Sequence, residues 1–116
     1  MSSRAWDLRI QDILGAIASI QRCTAGMTLD ALINNKTAAK AVLYNFLIIG
    51  EASANVPLDL QARYPDIPWR LMQDMRNVMA HEYFQVDVER VWQTIVEDLP
   101  PLVPQLQAIL EQERAG

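Results

Sequence analysis

The segment Arg76-Asn77-Val78-Met79-Ala80-His81-Glu82-Tyr83 gathers a guanidinium, an amide, an imidazole and a phenol around one small residue, Ala80. Arginine offers a planar fork of donors that matches a phosphate. Histidine, with an unperturbed pKa of about 6.5, exchanges protons near neutrality. Together they fit cleavage of RNA by its own ribose. A base must take the proton of the attacking 2′-hydroxyl, and a cation or donors must hold the charge that builds on the phosphoryl oxygens. That route needs no metal. The plain alternative is a solvated helix face, and what weighs against it is the company that the only histidine of the chain keeps.

These residues belong to a helix that should run from Pro68 to about Tyr83, because proline suits a first helical turn. At about 100° per residue, Leu71, Met75, Val78 and Glu82 form its core-facing stripe, widened by Met72 and Met79. The opposite arc carries Arg70, Gln73, Arg76, Asn77, Ala80, His81 and Tyr83, and is expected to stand free of the core. Arg76 and Tyr83 are stacked on one flank of that arc, and Asn77 and His81 on the other.

The rest of the chain supplies helices to hold it. Trp6, Ile10, Ile13, Ile17 and Ile20 recur at helical spacing and predict a helix from about Arg4 to Arg22. Thr28 can cap a short turn through Leu32, and a second long helix should follow from Lys36 to about Asn55. In that helix Val42, Phe46 and Ile49 share one face and Leu43, Leu47 and Gly50 the next, which predicts a central position. Glu51 in such surroundings needs a partner, since an unpaired buried carboxylate is costly. A buried ion pair or hydrogen bond is the simpler expectation, direct catalysis the other, and Gly50 beside it suggests close helix contact. Asp87 can cap a fourth helix with Val88, Val91, Trp92, Ile95 and Leu99 inside. Pro100-Pro101 should then force a kink or restart before Leu102, Leu106 and Ile109 resume the stripe. Trp69 and Trp92 lie at core spacing. No strand candidate competes, so the expected fold is all-α, an antiparallel bundle of four to five main helices forming one domain over residues 1–116.

Composition narrows the function. The chain has 116 residues, of which 51% are hydrophobic, and a net charge of -4, which disfavours a strong nucleic-acid binder and makes any RNA contact local. Residues 1–40 hold five basic side chains against three acids, whereas residues 84–116 hold two against six. One histidine and one cysteine cannot assemble a conventional zinc site, so no metal and no cofactor are expected. A glycine-rich phosphate loop, paired Asp-x-Asp ligands and a nucleophile elbow are absent, and kinase, polymerase and serine-hydrolase chemistry has no support. Lone Cys23 suits a reducing compartment. With no apolar leader and no spanning segment, the cytoplasm is expected and a membrane is not.

The R-x4-H-x-Y pattern of Arg76, His81 and Tyr83, with polar Asn77 after the arginine, resembles the signature of the HepT family of HEPN-class ribonuclease toxins. Ile48-Ile-Gly-Glu-Ala52, the Ile67-Pro-Trp69 lead-in, and Val86-Asp87, Val91-Trp92 and Leu99-Pro100 in the closing helices extend the resemblance over most of the chain. It implies that Arg76 and His81 form a metal-independent ribonuclease site, assisted by Asn77, in a cleft where two copies of the motif helix meet in a homodimer. It also implies that Tyr83 accepts adenylyl groups from an MntA-type nucleotidyltransferase antitoxin, in a type VII-like toxin-antitoxin pair. The rival readings are a non-catalytic module that binds nucleotide or nucleic acid for that partner, and a purely structural helical dimer.

Overall fold

Ile10, Ile13, Ile17 and Ile20 are fully buried along one side of α1 (Arg4–Thr24), with Trp6 half-buried against the same core. The computed structural model describes the backbone of residues 4–81 and 87–115, and the side chains of residues 5–77 and 87–115. The first helix runs two residues beyond Arg22, its last turn closed by the Thr24 hydroxyl donating to the Ile20 carbonyl at 2.8 Å. Gly26, at φ +73°, then turns the chain through a region that side chains disfavour.

Local chemistry starts the next two helices. Thr28 Oγ1 accepts from the Ala31 N–H at 3.1 Å to open α2 (Leu29–Ile33), and Asn35 Oδ1 accepts from the Ala38 N–H at 3.0 Å to open α3 (Lys36–Ala54). On α3 the face of Val42, Phe46 and Ile49 is buried, together with Gly50, Ala52 and Ser53. A buried amide, Asn45, donates from Nδ2 to the Ala41 carbonyl at 2.8 Å and to Ser19 Oγ at 3.2 Å, so its polarity is satisfied while it ties α3 to α1.

After α4 (Leu58–Arg63), the motif helix α5 runs from Trp69 to His81 and packs on α3, which therefore sits between α1 and α5. Pro68 lies just outside α5 rather than in its first turn, and its carbonyl accepts the Met72 N–H at 3.1 Å. Trp69 is a packing residue, buried, with its indole N–H donated to the Tyr64 carbonyl at 3.0 Å.

Asp87 caps α6 (Val88–Gln93) by accepting from the Arg90 N–H at 3.2 Å. Instead of a new start at Pro100-Pro101, the chain widens into a π-helical turn over Thr94–Asp98 and continues as α7 (Leu99–Ala115). The Leu99 N–H reaches back to the Thr94 carbonyl, and the two prolines, which have no N–H to give, follow within the first turn of α7. Val91, Ile95, Leu99, Leu102, Leu106 and Ile109 are buried along this rod. The fold is thus an all-α bundle. Among the described residues no helix is long and apolar enough to cross a membrane.

Side-chain clasps fasten the far end of α7. Arg114 pairs with Asp7 of α1 at 2.6 Å. Glu113 accepts from Arg63 Nη2 and from the Tyr64 hydroxyl, each at 2.7 Å. The Arg63 donor, then the tyrosine hydroxyl, hold the Glu113 carboxyl below the usual glutamate range. A folded-state value below the unfolded one stabilises the fold at pH above the ordinary glutamate value, and the benefit is lost as pH falls through the lowered value. At pH 7 Glu113→Gln is expected to lower the melting temperature by roughly 4 °C, about the effect of one partly exposed charge-assisted hydrogen bond. The difference from the parent protein should shrink as pH falls below the ordinary glutamate value and vanish only below the lowered folded-state value, where the carboxyl is protonated in both states. Thermal unfolding followed by circular dichroism across pH checks both statements, and a difference that persists in acid would contradict them.

Candidate active site

Met72 and Met75 anchor α5 in the core, while Arg70, Asp74 and Asn77 are exposed and Leu71, Gln73 and Arg76 are half-buried. The side chains of Val78, Met79 and Ala80 and all of Glu82 lie outside the described residues. Over residues 69–77 the expected division into an apolar stripe and a polar arc is present, with one correction. The arc is not wholly free of the core. The backbone of α5 at Arg76 lies directly on Gly50 of α3, where a Cβ would come within 2.6 Å of both Arg76 N and Arg76 Cβ. Glycine at position 50 is what allows the two helices to approach this closely, and the arginine is thereby seated from its main chain outward.

The next residue on α3 meets the head of the same arginine. Glu51 Oε1 lies 3.6 Å from Arg76 Nη1, so the carboxylate has the partner that its position demanded. The pair is at the surface rather than buried, with the Glu51 side chain 57% and the Arg76 side chain 43% exposed. Helix α3 is covered by α1, α2 and α5 but not around its whole circumference. On its open side Tyr44 is exposed, and Leu47 and Ile48 are half-buried. These residues, with Glu51 and with Arg9 and Asp12 of α1, line a shallow groove of about 270 Å³. Arg9 is paired with Asp12 at 3.2 Å, which leaves the groove without a cationic excess.

The outcome is a guanidinium held at a helix crossing with its fork near solvent, and exposed Asn77 adjacent to it on the chain. Helix α5 continues to His81, so the backbone carries residue 81 one turn beyond residue 77. The side chain of His81 and all of Tyr83 lie outside the described residues. Phosphate can be met here by the planar donors of Arg76 and the amide of Asn77. The Glu51–Arg76 pairing was not visible in the sequence, where 25 positions separate the two residues. Its one trace was the unexplained carboxylate next to a glycine.

With the geometry in view, the comparisons with known proteins are specific. Residues 13–109 match the family model described as ribonuclease HepT-like. A Thermococcus cleftensis protein named probable ribonuclease HepT is 41% identical over 93 residues, covering 80% of this chain and 84% of that protein. A Methanocaldococcus jannaschii protein with an RNase designation is 31% identical over 109 residues, 94% of this chain and 100% of its own length. Another with an RNase designation, from Caldanaerobacter subterraneus, is 30% identical over 89 residues, covering 77% and 80% of the two chains. No solved structure gives a significant match.

Proposed function

The chain belongs to the HepT-like ribonuclease family, and on that premise we propose that it is an endoribonuclease toxin that works without metal. The observation that carries this reading is the seating of Arg76 at the α3–α5 crossing, with its guanidinium near solvent on the helix that leads to His81. In the proposed reaction, His81 takes the proton of a ribose 2′-hydroxyl. The freed oxygen attacks the adjacent phosphorus, a bond to phosphorus forms, and the bond to the 5′-oxygen breaks. The leaving oxygen recovers a proton, and the products end in a 2′,3′-cyclic phosphate and a 5′-hydroxyl. Arg76 holds the charge on the phosphoryl oxygens, and Asn77 adds a neutral donor. RNA is the substrate, and two copies of α5 enclose the cleft in a homodimer that light scattering would register. A single exposed helix face is a poor pocket, and two facing copies can make a cleft.

Silencing is proposed to act at Tyr83, through adenylylation by a nucleotidyltransferase antitoxin. Seven positions separate it from Arg76 in the sequence, and an adenylate phosphate there would compete for the guanidinium that the RNA phosphate needs. Purified protein should shorten RNA in the presence of a chelator. Co-expression with the partner should raise the intact mass by one or more adenylyl units and stop cleavage. Tyr83→Phe is expected to remain unmodified and to keep cleaving RNA beside the active antitoxin. RNA that stays intact would favour a non-catalytic binding role. Inhibition with no mass change would mean that the antitoxin acts by masking.

A further inference from the structure

Two neighbouring residues of α3 act on one residue of α5. Gly50 receives the Arg76 backbone, and Glu51 reaches the guanidinium at 3.6 Å. An ion pair this exposed contributes little to stability, because water screens it and two long side chains must be ordered to form it. A stability role is therefore a weak account of a carboxylate placed here. Its second effect is electrostatic: Glu51 puts a negative charge beside the cation that a phosphate would seek.

We infer that Glu51 is a positioning residue for Arg76, holding the guanidinium in a restricted orientation above the helix crossing and tempering its attraction for phosphate. The inference rests on the ribonuclease reading of Arg76. An untethered arginine samples many rotamers, and fixing it beforehand removes an ordering cost from the step in which phosphoryl charge develops. The same carboxylate weakens ground-state binding of RNA, since any phosphate that approaches Arg76 also approaches Glu51. Loss of the charge should therefore move turnover and binding in opposite directions. A packing role would not do that.

The test compares the parent protein with Glu51→Gln, Glu51→Asp and Arg76→Lys on a short fluorescent RNA, with melting temperatures measured alongside. For Glu51→Gln, kcat should fall about 10-fold and KM about 3-fold at low salt, with the melting temperature within about 2 °C of the parent. The KM difference should shrink as ionic strength rises. Glu51→Asp, which keeps the charge, should bring KM back to the parent value and recover part of kcat. Parent kinetics in Glu51→Gln while Arg76→Lys is inactive would overturn the positioning role and leave the ribonuclease reading standing. Full activity of Arg76→Lys would remove the reading itself. A fall in kcat that accompanies a melting temperature several degrees lower, with KM unmoved, would mean that Glu51 only packs.

Discussion

His81→Ala is expected to lower RNA cleavage by about 10² to 10⁴-fold while leaving the bundle folded. The loss follows from the chemistry: no other histidine exists in the chain, and no other side chain titrates near neutrality without a large perturbation. The tolerance follows from position, because at about 100° per residue position 81 lies roughly opposite buried Met72, so truncation there opens no cavity beside that anchor. Arg76→Lys should fall by a comparable factor for a different reason. An ammonium keeps the charge facing Glu51 but loses the planar fork. The two variants therefore separate proton transfer from phosphate recognition, with folding checked by circular dichroism in both. Undiminished cleavage by either would remove that residue from the active site.

Gly50→Ala is expected to be the most crowded of the alanine substitutions at the described glycines, Gly15, Gly26 and Gly50, and to disturb both fold and site. Intrinsic helix propensity favours it, since alanine in a helix interior is better than glycine by about 1 kcal/mol. Packing opposes it more strongly. The new Cβ would lie 2.6 Å from Arg76 N and Cβ, atoms fixed to the α5 backbone that cannot swing aside as the end of a flexible side chain can. Overpacking of this kind costs about 1–3 kcal/mol, so the clash outweighs the propensity gain if α5 cannot slide, and a fall in melting temperature of roughly 5 °C is expected. Cleavage should drop further than stability does, by about 10²-fold well below the melting temperature, because moving the two helices apart displaces the Arg76 main chain itself. Thermal unfolding and RNA cleavage of one purified variant check both parts. A melting temperature above the parent's would show that propensity had won and that the crossing is slack.

Much of the architecture was legible from local pattern. The isoleucines of α1 and the Val42, Phe46, Ile49 face of α3 are buried as their spacing requires, and Thr28 and Asp87 cap the helices they precede. The Arg76 motif was read from residue types at helical spacing; family membership supports a ribonuclease, and the roles of Arg76 and His81 within it are what we propose. All of these are relations within one or two helical turns, where the 3.6-residue repeat converts sequence distance directly into geometry. What remained hidden joins residues on different helices. Asn45 finds Ser19, Glu113 closes on Arg63 and Tyr64, and Glu51 meets Arg76 because Gly50 lets α5 settle against α3. Which side of α3 is covered and which stays open, and hence that Glu51 is a surface partner rather than a buried one, depends on where whole helices cross. That crossing is set by the packing of many side chains at once, and no spacing along the chain encodes it.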